Sequence, residues 1–297
     1  MIMREGKEQF GVQGHGCPVG CEYCVVTKVD SRRELWNKKT ILGLNKAVTI
    51  LNAPPDLKNE QAMHEFYDFP IELLRGDFVG FNAISDPFWP KYRKELEFFL
   101  EKVAPVAKLI TCVTKFNPSD EILDRLAELS NFRLVVSVTG LDRLEKTKTD
   151  DRINLLERAK QKNIQTFPII HPYIAGVSDL SFLTRLKEIG YEEVDVKGLR
   201  YNSDTMSSWM PDSSKIYYEK TGEREILPDD GWREKINQAG LKLTSLKDWY
   251  RRGFEDMTPK LTHDEAEKLV KEIIKRANIT SSDTDKSVIE EAIKRRM

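Results

Sequence analysis

Cys17, Cys21 and Cys24 fall within eight residues, in Gly16-Cys17-Pro18-Val19-Gly20-Cys21-Glu22-Tyr23-Cys24, at the spacing C-x-x-x-C-x-x-C. In a reducing compartment such clustering reads as metal binding before it reads as disulfides. Three thiolates can wrap three corners of a cubane-like 4Fe-4S cluster, and Gly16, Pro18 and Gly20 suit a tight loop folded around it. The fourth iron then has no protein ligand, unless Cys112, the remaining cysteine, reaches it. An open iron is what a cluster needs if it binds substrate or cofactor directly. The competing reading is a zinc knuckle on Cys17, Cys21, Cys24 and His15. Structural zinc sites usually pair two ligand groups, and no second C-x-x-C or H-x-x-x-H occurs here.

Short β-rich runs alternating with amphipathic helices must position this loop. Strands are predicted at Gln9–Gln13, Asp77–Ala83, Lys108–Thr114, Arg133–Val138, Gln165–Ile170 and Glu193–Lys197. Their apolar runs are continuous, as in buried parallel strands. Helices are predicted between and after them. Lys91–Val103 places Tyr92, Leu96, Phe99 and Val103 on one face. Ser119 suits the cap of the next helix, with Asp120 and Glu121 in its first turn. Asp151–Lys162 brings Ile153, Leu156 and Ala159 together, and Asn163 suits its C-terminal turn. Asp179–Ile189 ends at Gly190, a suitable C-cap. Within the long first connection, Cys24 to Gly76, a helix is expected near Asn45–Leu51.

A β-α-β-α order implies a parallel sheet, and six such units fit Gln9–Lys197. The predicted fold class is α/β: a partial (β/α)6 TIM-type barrel over residues 1–202, then a C-terminal helical extension over 203–297. Ser203–Asp230 is polar and reads as an extended or loop region. Helices follow near Gly231–Ala239 and Ser245–Arg252. Thr262 and Glu265 form a capping box that opens another, and a last helix is expected at Lys286–Arg296. The extension is expected to cover the barrel or to bind a partner, and Trp209 and Met210 to pack over its mouth.

With 47 basic and 48 acidic side chains, the net charge of -1 argues against a global field that grips nucleic acid. No apolar stretch is long enough for a transmembrane helix, and Met1–Phe10 does not read as a secretory signal. A cytoplasmic protein without membrane association is expected.

The cysteine motif, with aromatic Tyr23 just before its third cysteine, resembles the signature of radical S-adenosylmethionine enzymes. Within them the chain is most similar to the spore photoproduct lyase and DNA repair photolyase-like group. Ser85-Asp86-Pro87-Phe88-Trp89-Pro90 resembles that group's S/T-D-P-aromatic-x-P segment, Thr114-Lys115 its I-T-K segment, and Val136-Ser137-Val138 its V-S-hydrophobic segment. The resemblance spans Phe10 to Tyr201 in short pieces, each individually weak.

The resemblance implies one 4Fe-4S cluster on Cys17, Cys21 and Cys24. It implies S-adenosyl-L-methionine bound at the fourth iron, one-electron cleavage to a 5'-deoxyadenosyl radical, and hydrogen abstraction from substrate. Tyr23, Ser85, Asp86, Lys115 and Ser137 are then cofactor-binding candidates: Ser85 and Asp86 toward the methionine amino group, Lys115 toward its carboxylate. The alternative for Asp86-Pro87 is a helix N-terminus, for Lys115 a surface strand end, and for Ser137 a small core residue with a satisfied hydroxyl.

The lyases use a cysteine hydrogen-atom donor. Cys112 is the candidate for that role, although its position is not matched and a buried structural thiol is the default. His171 and Tyr173 follow the fifth predicted strand, and Arg200 the sixth; they are the substrate-pocket candidates. Gly198 allows a turn before Arg200. His15 suits a hydrogen bond to the cluster's surroundings.

A reducing electron donor such as flavodoxin or ferredoxin is expected. With no cysteine after Cys112, auxiliary clusters are not expected. The leading expectation is a lyase- or oxidoreductase-type radical enzyme acting on a nucleobase, nucleotide or related substrate. The alternatives are a small metabolite or peptide substrate, and a non-catalytic zinc- or cluster-binding interaction protein.

Overall fold

The computed structural model describes residues 9–11, 17–24, 43–44, 75, 78–81, 86–200, 206, 208–218, 225–254, 258, 260–269 and 272. The strands are β1 Gln9–Gly11, β2 Gly43–Leu44, β3 Phe78–Phe81, β4 Leu109–Thr114, β5 Phe132–Ser137, β6 Gln165–Ile170, β7 Glu193–Val196, β8 Leu199–Arg200, β9 Glu225–Ile226 and β10 Lys242–Leu243. The main sheet runs β10-β7-β6-β5-β4-β3-β1-β2, and β8 pairs with β9 in a separate ribbon. From β1 through β3, β4, β5, β6 and β7 every pairing is parallel, and these are the six predicted strands. β2 adds antiparallel at the β1 edge and β10 parallel at the β7 edge, so the sheet is an open, partial barrel. β5 is buried along its whole length, as its continuous apolar run predicts.

Register sorts the strand residues onto two faces. Val113, Val135 and Phe167 are lateral neighbours, and so are Ser137, Ile169 and Asp195; both rows lie on one face. Cys112, Leu134 and Thr166 form a row on the other. That other face packs against α1 Arg93–Phe98, α2 Asp120–Ala127, α3 Thr149–Gln161 and α4 Leu183–Ile189 in the main core, through Leu96, Leu123, Leu156 and Leu186. Each such buried aliphatic side chain contributes roughly 1.5–3 kcal/mol.

The helix predicted at Lys91–Val103 is one helical run with three pitches. It opens as 3₁₀ at Pro90–Tyr92, continues as α1, and widens to a π turn at Phe99–Val103. Tyr92, Leu96, Phe99 and Val103 are all buried, and the wider turn lets consecutive Phe98, Phe99 and Leu100 enter the core together. Ser119 stands at the N-cap of α2 but makes no side-chain cap bond there. Asn163 and Gly190 adopt the left-handed conformations that end α3 and α4. The Thr262–Glu265 capping box forms, with Glu265 N–H donating to Thr262 Oγ1 at 3.3 Å and Thr262 N–H to Glu265 Oε2 at 2.9 Å, and residues 263–269 are helical. The helices expected at 45–51 and 286–296 lie outside the described residues.

The polar stretch read as extended or loop holds a helix, α5 Asp212–Tyr218. Ser214 and Tyr218 on this helix and Met206 and Met210 before it are all buried, among mostly polar neighbours. Beyond it, α6 Trp232–Gln238 packs on the main core through Trp232 and Ile236. α7 Leu246–Arg251 fills the N-terminal half of the inner face: Trp249 stacks on Phe167 with ring centroids 4.9 Å apart. Arg133, at the start of β5, donates to the Trp249 carbonyl at 2.8 Å and also to those of Tyr250 and Arg252. Arg252 in turn pairs with Glu193, at the start of β7, at 2.5 Å. The N-terminal end of the inner face is therefore plugged. No helix among the described residues is long and apolar enough to cross a membrane.

Candidate cluster and cofactor site

The cysteine loop lies beyond β1 and is clamped to the segment Leu144–Lys146. Glu22 N–H donates to Leu144 O at 3.0 Å, and Lys146 N–H to Val19 O at 2.9 Å. Gly20 has φ +56°, and a Cβ there would press on the Lys146 side chain at 2.9 Å, so glycine suits this position twice over. Val19 and Tyr23 point inward and are buried, while the three cysteines are half-buried and in no disulfide. Burial pushes the Cys17 and Cys21 thiols up to about 12, and the Asp86 carboxylate adds to the shift at Cys17. The backbone N–H groups of Val19 and Asp86 face the Cys17 sulfur and oppose that shift. Three half-buried thiols on one short loop, with Cys21 electrostatically coupled to both Cys17 and Cys24 and backbone N–H donors at one sulfur, fit a cluster whose positive irons would deprotonate them.

Beneath the loop sits a buried charged network. Glu145 Oε1 accepts from Tyr23 Oη, from Lys115 Nζ at 2.6 Å and from Thr139 Oγ1 at 2.9 Å. Glu145 Oε2 pairs with Arg152, whose guanidinium also donates to Thr139 Oγ1 at 3.0 Å and to Thr147 at 2.8 Å. Lys115 further donates to Tyr23 Oη, and its ammonium lies 4.8 Å from that ring's centroid. Burial draws Lys115 down to about 8 and lifts Glu145 to about 7, against the pull of the Arg152 charge on the latter.

Asp86 is buried and fully engaged. Its carboxylate accepts from Thr114 Oγ1 at 2.8 Å and from the N–H groups of Lys115 at 2.8 Å, Phe116 at 3.0 Å and Phe88 at 3.2 Å. It locks the end of β4 to the Asp86–Trp89 turn, with Trp89 rather than Asp86 at the helix N-cap and Pro90 in the first turn. This is an anchoring role. Burial nevertheless raises its pKa. Ser85 and His15 lie outside the described residues.

At the mouth, Ser137 Oγ donates to the His171 carbonyl at 3.0 Å and is buried, the satisfied-hydroxyl alternative given above. His171 Nε2 meets Asp195 Oδ2 at 3.0 Å, with 19% and 14% of the two side chains exposed. Burial lowers the His171 pKa despite the Asp195 carboxylate. Val113, on the same face, is 39% exposed, whereas its neighbours Val135, Ser137 and Ile169 are buried.

Three sequence expectations change here. Cys112 is 1% exposed, in the row with Leu134 on the helix-packed face, and burial pushes its thiol well up. That is the setting of a structural thiol and not of a hydrogen donor at the mouth. Tyr173 is buried and donates to Asp230 at 2.7 Å, joining the barrel to the segment before α6 instead of lining a pocket. Arg200 is exposed on the β8–β9 ribbon. Gly198 precedes it because the backbone approaches too closely for a side chain: a Cβ would fall 1.8 Å from Ile226 O. Sequence reading missed Glu145, Thr139, Arg152 and Asp195. The one available signal was Asp195, a carboxylate set between the buried Val194 and Val196 of β7.

Among solved structures, the fold is shared with a spore photoproduct lyase variant with bound AdoMet and dinucleoside spore photoproduct. The two are 12% identical over 77% of this chain and 73% of that one, with a TM-score of 0.51. The chain is also similar to Streptococcus suis SuiB bound to S-adenosylmethionine, at 14% identity, 80% of this chain, 49% of that one and a TM-score of 0.47. The fold is thus the partial barrel of the radical S-adenosylmethionine enzymes, and the resemblance seen in the sequence falls on the same group. No family model and no curated protein matches the chain.

Proposed function

We propose that the chain is a radical S-adenosylmethionine enzyme that holds one 4Fe-4S cluster on Cys17, Cys21 and Cys24. The observation that carries this reading is the C-x-x-x-C-x-x-C loop, half-buried, in no disulfide and clamped by backbone bonds to Leu144 and Lys146 on a partial barrel. Cluster and cofactor, when bound, supply one-electron cleavage of S-adenosylmethionine and a 5'-deoxyadenosyl radical. The chain's residues supply position and dryness. Lys115 uses two of its three N–H donors on Tyr23 and Glu145, which leaves one for the methionine carboxylate. Tyr23 holds the loop rather than the cofactor. His171, oriented by Asp195, faces substrate on the inner face.

The substrate class we infer is a nucleobase or nucleotide. Its support is the lyase of the same fold, whose structure carries a dinucleoside photoproduct. The near-zero net charge favours a unit of that size over a long duplex gripped through its phosphates. A small reducing protein of the flavodoxin or ferredoxin kind would deliver the electron. The test is anaerobic reconstitution with iron and sulfide, addition of S-adenosylmethionine and dithionite, and chromatography of 5'-deoxyadenosine with Cys24→Ala as control. Product that requires Cys24 is expected. A colourless, zinc-containing protein without product would overturn the reading in favour of a zinc-binding interaction protein.

A further inference from the structure

Glu145 is where the walls of the cluster site meet, and nothing in the proposed chemistry uses it. Its neighbours in sequence, Leu144 and Lys146, make the two backbone bonds that clamp the cysteine loop. Its carboxylate gathers Tyr23 from that loop, Lys115 from the end of β4, Thr139 from beyond β5 and Arg152 from α3. Its Oε1 lies 3.9 Å from Cys21 Sγ. The side chain has no exposed surface, so water does not screen a charge on it. Lys115 acts electrostatically on Cys21, Cys24 and Cys17, and Glu145 on Cys21. The two opposite charges are thus bonded to each other and both directed at the cysteine sulfurs.

We propose that Glu145 and Lys115 form a positioning pair that fixes the cluster loop and sets the cluster's reduction potential by opposing fields at the sulfurs. This rests on the cluster reading above. Gaining an electron makes the cluster more negative. A buried cation beside it favours the reduced form, and a buried carboxylate favours the oxidised form. Removing the two charges must therefore shift the potential in opposite directions, whereas simple loosening of the loop would shift both alike.

The experiment is an EPR-monitored redox titration of the reconstituted full chain without S-adenosylmethionine, comparing wild type, Glu145→Gln and Lys115→Gln. Glu145→Gln is expected to raise the midpoint and Lys115→Gln to lower it. Each shift should change the reduced-to-oxidised ratio at the wild-type midpoint by about tenfold, or 59 mV for one electron. Equal midpoints in all three, or shifts of the same sign, would overturn the proposal. If Glu145→Gln fails to hold a cluster, the sign for Lys115→Gln decides: a fall supports the pair, and no change or a rise refutes it. Absence of a cluster from the wild type would instead refute the cluster reading itself.

Discussion

Glu145 and Arg152, seven residues apart, form an ion pair in which neither side chain has exposed surface. The sequence between them turns from the loop that clamps the cysteines into α3, so the pair joins the site to the barrel wall. Arg152→Met leaves the buried carboxylate with Lys115 as its ion-pair partner among the described residues and strips donors from Thr139 and Thr147. Removing one member of a buried pair costs about 3–5 kcal/mol, whereas replacing both with apolar residues is often neutral. The urea midpoint should fall steeply in Arg152→Met and recover in the double variant with Glu145→Met. A single variant as stable as wild type would refute the buried pair.

Asp86 accepts from a threonine hydroxyl and three backbone N–H groups. Asp86→Ala leaves these donors buried without partners, at about 1–3 kcal/mol each before relaxation. Thermal unfolding should show a loss of at least about 3 kcal/mol, with a smaller loss for Asp86→Asn, which retains one accepting oxygen. If Asp86 instead served the cofactor alone, Asp86→Ala would weaken S-adenosylmethionine binding without moving the melting temperature.

Cys112 is buried in the helix-side core, and its raised pKa keeps it a thiol. In cluster-free protein, iodoacetamide should label Cys17, Cys21 and Cys24 first. Cys112 should react only at the rate of global unfolding. Peptide mapping of the labelled protein checks this, and early labelling of Cys112 would contradict its placement.

His171 is held against Asp195 with its pKa lowered from 6.5, chiefly by burial. Asp195, Lys197 and Glu225 are the charges that act on it. Its folded pKa lies below the unfolded one, so the unfolded chain binds more protons as pH drops below about 6.5. The stability it contributes is present above that pH and is lost on acidification toward its folded pKa. The urea midpoint of wild type should fall between pH 7 and pH 5.5, and that of His171→Gln should fall less. Identical slopes would show that His171 titrates alike in both states.

All six parallel strands were legible in the sequence, because buried parallel strands need continuous apolar runs and Leu109–Thr114 and Phe132–Ser137 provide them. The cysteine motif was legible because its three cysteines lie close together in sequence and need no tertiary contact to be counted. Asn163, Gly190 and the Thr262–Glu265 box were legible because left-handed turns and caps are local. The helix Asp212–Tyr218 was misread because its buried residues, Ser214 and Tyr218, are few among polar neighbours.

The face on which each strand residue lies, and the partner it meets, are decided by the fold alone. Cys112 and Val113 are adjacent in sequence, yet register places one in the core and the other on the inner face. Tyr173 follows a strand end as a pocket residue would, yet it reaches Asp230, 57 residues away. Glu145 in its Leu-Glu-Lys context reads as a solvated charge, until packing removes the water and leaves Tyr23, Lys115, Thr139 and Arg152 to replace it. The sequence by itself determined the cysteine spacing and the apolar runs of the strands, since both are local patterns. The tertiary structure decided burial and charge pairing, since desolvation depends on neighbours that are distant along the chain.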